Sequence, residues 1–168
     1  MDLLSQLAEV LNNNPCIVGV GNYLKNDDGV GPYIADYLAE ELQSENITVI
    51  NAEDIIESHV FRIAGLDCST VLIIDAVQAD AEPGSLLFGR LSELEGVAGG
   101  FSTHKMGLAV SGNLLERHGK RTYLLGIVAG DIDFGMDISS EVLGSADYLK
   151  DFIVKSVNCS QKELVHEH

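Results

Sequence analysis

Leu3, Leu4, Leu7, Val10 and Leu11 recur at the spacing of one helical face, and Asn12 to Pro15 ends that pattern. Cys16-Ile-Val-Gly-Val20 then reads as a short buried strand. After a polar loop, Gly21 to Asp28, the residues Val30, Ile34, Tyr37, Leu38 and Leu42 form an amphipathic stripe over 29–44. Pro32 falls in the first turn of that helix, where a missing N–H costs nothing. Ile47 to Asn51 predicts a second strand, and Ile56, Val60, Ile63 and Ala64 predict a helix over 54–65. Thr70-Val-Leu-Ile-Ile-Asp75 is a third strand, apolar until its last residue. Pro83-Gly84 marks a turn before a fourth strand, Ser85 to Gly89. Residues 96–104 read as a glycine-rich loop, 105–117 as a helix, and Thr122 to Ala129 as a fifth strand. A last helix over 140–157 carries Val142, Leu143, Ala146, Leu149, Phe152, Ile153 and Val157 on one face, and a polar tail follows from Asn158.

Strands without polar alternation, separated by helices, predict a single-domain α/β three-layer sandwich: a mostly parallel, twisted sheet of about five strands with helices on both faces. No internal repeat or linker divides the 168 residues, so 1–168 is expected to form one domain, with 158–168 a disordered tail. Ligands in such a sheet bind outside the carboxyl ends of the strands, where the strand order reverses.

Composition narrows the function classes. The chain has 10 Lys and Arg against 26 Asp and Glu, a formal charge of −16. Nucleic-acid binding needs a basic surface and is not expected. No apolar run reaches the roughly 18 residues of a membrane span, and Met1 to Asn14 lacks the basic start of a secretory signal. A cytoplasmic protein that does not engage the membrane is therefore expected. The three cysteines, Cys16, Cys68 and Cys159, form no C-x-x-C pair, and Cys16 and Cys68 read as buried reduced thiols.

Three polar residues fall where the sheet rule directs attention. Asp28 ends the loop after the first strand, Asp75 ends the third, and His104 closes the glycine-rich loop. Each has a plain alternative. Asp28, or Asp27 before it, fits a helix N-cap, and Asp27 also fits a solvated position. Asp75 could accept only backbone hydrogen bonds, although a carboxylate after Val-Leu-Ile-Ile is costly to bury without a partner. His104 could be an ordinary loop histidine. Together, two carboxylates and an imidazole suit a borderline divalent cation and leave coordination positions open. Familiar motifs fail. Gly19-Val-Gly21-Asn-Tyr-Leu24 has leucine where a dinucleotide fingerprint needs glycine, and the adjacent aspartates would repel a pyrophosphate. There is no phosphate loop, nucleophile elbow or H-E-x-x-H.

Val18-Gly-Val-Gly-Asn-Tyr-Leu-Lys-Asn-Asp-Asp-Gly-Val-Gly-Pro32 resembles the opening motif of the hydrogenase maturation endopeptidases. Leu72-Ile-Ile-Asp-Ala76 with Pro83-Gly84 resembles the second motif, and Ser102-Thr-His-Lys-Met-Gly-Leu108 the third. Gly126-Ile127, Asp131-Ile-Asp-Phe-Gly135 and Ile138-Ser139 resemble the C-terminal segment. The departures are Ile56-Glu-Ser58, where many members carry Pro-Glu-Asn, and Lys105-Met-Gly107, where others have Asn-x-Pro. A proline near Val128-Ala129 is also absent. The resemblance implies a monomeric endopeptidase that removes the C-terminal extension of a [NiFe] hydrogenase large-subunit precursor. It implies nickel supplied by that precursor and contacted by Asp28, Asp75 and His104, with Asp28 and Asp75 assisting hydrolysis. The rival reading is a non-enzymatic metal-handling or assembly protein built on the same three residues.

Overall fold

The computed structural model describes residues 1–97 and 105–166. Helix α1 (Leu3–Asn12) is capped by Asp2, whose Oδ1 accepts the Ser5 N–H at 2.8 Å. Then come β1 (Cys16–Val20), a 3-10 turn (Asn26–Gly29), α2 (Val30–Glu41) and β2 (Val49–Glu53). A second 3-10 turn (Ile56–His59) runs into α3 (Val60–Ala64), followed by β3 (Thr70–Val77) and β4 (Leu86–Arg90). Helices α4 (Leu91–Val97) and α5 (Lys105–Arg117), β5 (Arg121–Val128) and α6 (Ser140–His166) complete the chain.

The five strands form one sheet in the order β2-β1-β3-β5-β4. β2, β1, β3 and β5 run parallel, and β4 is antiparallel to β5 at the edge. Both faces are covered, as the sequence predicts. The pleat sorts the strand side chains. Leu72, Ile74 and Ala76 of β3 join Leu7 and Leu11 of α1, Ile34 and Leu38 of α2, and Val142, Leu149 and Ile153 of α6 in one core. Val71, Ile73 and Val77 join Val60 and Ile63 of α3 and Leu108 and Leu115 of α5 in the other.

Several boundaries move from their predicted places. β3 does not stop at Asp75. The ladder to β5 continues through Ala76↔Ile127 and Val77↔Val128, so Asp75 lies inside a buried strand. The expected helix over 54–65 is split, because a 3-10 turn precedes the α-helical part. Leu91–Val97 forms a short helix where none was predicted, and it takes Gly96 out of the expected glycine-rich loop. The remainder of that loop, 98–104, lies outside the described residues. α6 runs on past Val157 to His166. Here the apolar stripe ends before the helix does, because backbone hydrogen bonds continue where side-chain burial stops.

α2 approaches the sheet at backbone distance. A Cβ on Gly31 would lie 2.2 Å from the Val20 carbonyl oxygen and 2.5 Å from that of Ile74. On β1, a Cβ at Gly19 would lie 2.4 Å from the Gly31 carbonyl oxygen. Gly19, the first glycine of the fingerprint-like stretch, therefore serves close helix–strand packing together with Gly31. Gly144, mid-helix in α6, has open space around its missing Cβ. Gly31→Ala should lower unfolding free energy by about 2–3 kcal/mol through overpacking. Gly144→Ala should raise it by about 0.5–1 kcal/mol through helix propensity. Urea denaturation of both variants checks the opposite signs.

Candidate active site

The strand order creates one switch point. From β1 the chain passes through α2 to β2 on one side; from β2 it crosses back through α3 to β3 on the other. The crevice between the carboxyl ends of β1 and β3 is where such folds bind ligands.

At the end of β1, Gly21 has φ 155°, and a Cβ there would lie 1.9 Å from the Asp28 carbonyl oxygen. Only a glycine lets the chain fold back so closely. The Asn22 side chain then accepts the Leu24 N–H at 2.9 Å, a local turn typical of asparagine. The loop closes on the 3-10 turn that holds Asp27 and Asp28, both buried.

Asp28 is 1 % exposed, and its Oδ2 accepts the Asn22 N–H at 3.0 Å. It does not cap α2: Gly29 occupies the cap position, with no side-chain cap bond. Asp75 is 0 % exposed, and its register partner on β5 is Gly126. Pleat alternation turns Asp75 to the face of Ile73 and Val77, the one covered by α3 and α5. Gly107, in the first turn of α5, abuts Glu57 in the turn after β2: a Cβ on it would lie 2.0 Å from Glu57 Oε1. α5 thus begins at the same end of the sheet as the two aspartates. The third predicted residue, His104, lies outside the described residues. Among the described residues, no group of three or more His, Cys, Asp and Glu side chains is placed to hold a metal ion. The structure thus sets Asp28 and Asp75 at adjacent strands of one switch point. Cys16 is no competing nucleophile: burial pushes its thiol up to about 12.

Sequence reasoning missed the residue that holds the site together. Asp27 is neither a cap nor solvated. Its Oδ2 accepts the N–H groups of Gly130 (2.8 Å) and Asp131 (2.9 Å) and the Ser139 hydroxyl (2.9 Å), while Oδ1 accepts the Ser139 N–H at 2.6 Å. The neighbouring residues continue the seam. The Asp27 N–H donates to the Asp131 carbonyl, the Asn26 N–H to that of Gly135, and the Gly135 N–H to that of Leu24, each at 2.9 Å. Asn26 Oδ1 also accepts the Asp137 N–H at 3.1 Å. Lys25 and Gly135 pair as a parallel bridge. Asp27 and Ser139 are 112 positions apart, so local patterning carried no sign of the contact.

A doubly wound sheet with buried carboxylates at its switch point defines an α/β protein that works at the carboxyl edge of its strands. Comparison with known proteins makes the class specific. Residues 32–156 match the HycI family, described as hydrogenase maturation protease, a span that includes Asp75 and begins after Asp28. A protein named as a hydrogenase maturation protease from Methanocaldococcus jannaschii is 30% identical over 149 residues, covering 84% of this chain and 86% of its own. Among solved structures, a [NiFe] hydrogenase maturation protease HycI from Thermococcus kodakarensis KOD1 shares the fold with a TM-score of 0.76 at 23% identity, over 91% of this chain and 99% of that one. The HybD protease of Thermococcus kodakarensis gives a TM-score of 0.61 at 27% identity, over 89% and 97%. The chain belongs to the hydrogenase maturation protease family and is a peptidase. That assignment favours the enzyme over the non-enzymatic metal-handling protein. No helix among the described residues is long and apolar enough to cross a membrane.

Burial alone would push the Asp27 carboxyl up, but its hydrogen bonds to Ser139, Asp131 and Gly130 outweigh burial and hold it below the usual range. A depressed folded-state pKa stabilises the protein fully above the unfolded value of about 3.9, and that stabilisation is lost as pH falls through the folded value. Asp27→Asn turns an N–H donor toward amides that need an acceptor and should cost about 2–4 kcal/mol at pH 7. Denaturation of both proteins from pH 7 to pH 3 should show the wild-type advantage shrinking toward the acid end. A constant difference across that range would contradict the charge-based account.

Proposed function

We propose that this chain removes the C-terminal extension of a nickel-loaded [NiFe] hydrogenase large-subunit precursor. The observation that carries the proposal is the pair of buried carboxylates, Asp28 and Asp75, at adjacent strands of the switch point. Carboxylate oxygens are ligands for divalent cations, and a crevice of this kind is where open α/β sheets bind their ligands. The nickel arrives with the substrate, and Asp28, Asp75 and His104 contact it through positions the precursor leaves open. Contact would hold the precursor with its scissile peptide beside the two carboxylates. Hydrolysis then needs a water to add to the carbonyl carbon, the C–N bond to break, and a proton to reach the departing amine. Asp75 is the preferred base for the water, and Asp28 the residue that orients the bound metal. In this role the chain works as a cytoplasmic monomer.

Mass spectrometry of the precursor after incubation with this protein tests the proposal. One C-terminal peptide should be lost from the nickel-loaded precursor and none from the nickel-free form. Asp75→Asn should abolish cleavage while retaining the wild-type circular dichroism spectrum. Normal processing by that folded variant would remove Asp75 from the mechanism.

A further inference from the structure

The seam between the two loops does more than position Asp28. It carries large apolar side chains into solvent. Phe134 is 87% exposed, Met136 75% and Leu24 50%. The parallel pairing of Lys25 with Gly135 sets Leu24 beside Phe134, with Met136 next along the strand-like seam. Both backbones are held there by hydrogen bonds, so these side chains are presented without the ordering cost of a mobile loop. Tyr23 on the same loop is different: its hydroxyl is tied to Asp36 and Asn51. The loop that carries Phe134 and Met136 also carries Asp131, Asp133 and Asp137, all exposed, against the single cation Lys25 of the facing loop.

We infer that Leu24, Phe134 and Met136, framed by Asp131, Asp133 and Asp137, form a docking surface for the precursor protein, whose matching surface is an apolar patch bordered by Lys and Arg. The inference rests on the proposed substrate and adds how it is recognised. An exposed apolar cluster with a charged border is the anatomy of a protein interface. Charge selects the occupant. A second copy of this chain would bring the same aspartates, and a net charge of −16, against themselves. An anionic membrane surface would be repelled in the same way. A partner with a cationic border is attracted, and its apolar centre covers the exposed side chains. The surface shares a loop with Asp28, so docking here would bring the precursor to the switch point.

Initial cleavage rates at varied concentrations of the nickel-loaded precursor test this. Phe134→Ser/Met136→Ser should raise KM by about tenfold or more with little change in kcat, as truncation of central interface residues does. Its thermal midpoint should match that of the wild type, because both side chains are already in solvent. Asp133→Asn/Asp137→Asn should raise KM at low salt and flatten its rise with added salt. An unchanged KM in the apolar pair, with wild-type cleavage intact, overturns the docking surface and leaves the proposed substrate standing. An unchanged KM in the acidic pair overturns the cationic border. If the wild-type protein leaves the loaded precursor uncut, the proposed substrate fails and this partner fails with it. Sedimentation showing a wild-type dimer that the apolar pair dissolves would assign the surface to self-association instead.

Discussion

The two loops that close the carboxyl edge of this sheet are joined by one buried carboxylate. Asp27 accepts hydrogen bonds from Gly130, Asp131 and Ser139, joining the loop after β1 to the loop before α6. A buried anion is costly unless its lone pairs are filled, and here four donors fill them. The charge therefore holds two distant loops together. With the seam closed, Asp28 has a defined position and Leu24, Phe134 and Met136 have a rigid platform.

The second constraint is backbone proximity. Gly19 and Gly31 let α2 approach β1 and β3 closely enough that any side chain at Gly31 would meet carbonyl oxygens of both strands. This brings the start of α2, and the turn that precedes it, over the gap between the two strands. In a nucleotide-binding sheet, similar glycines leave a helix N-terminus open to phosphate. Here Asp27 and Asp28 lie in the turn that precedes the helix, and two carboxylates there are unfavourable to an anion. The exposed aspartates of the neighbouring loop, Asp131, Asp133 and Asp137, carry the same sign.

The predicted elements succeed where burial has a period and fail where it does not. β1, β3 and β5 were legible because strands covered on both faces are continuous apolar runs. Asp75 interrupts such a run, and for that reason it was read as the end of β3; pairing with β5, which lies beyond the reach of local pattern, carries the strand onward. α4 is too short to show a helical stripe. Beyond Val157 the sequence of α6 is mostly polar, so no apolar stripe reveals its end. Asp28 and Asp75 stood out in the sequence because a carboxylate next to a buried strand is conspicuous, and the structure places both at the switch point. Asp27 did not stand out, since nothing beside it in the chain explains its burial.

The sequence by itself determined the class of fold and the acidic character of the chain, and it marked Asp28 and Asp75 as carboxylates beside buried strands. These follow from periodicity, composition and strand–helix alternation, all of which are local or additive. Only the tertiary structure decided that Asp27 is a clamp rather than a cap, that Asp75 lies within a strand, and that Leu24 meets the loop bearing Phe134. The first and last rest on contacts between residues more than a hundred positions apart, and the second on the pairing of β3 with β5. Long-range contacts form only when the whole sheet closes, and no window along the chain contains both partners.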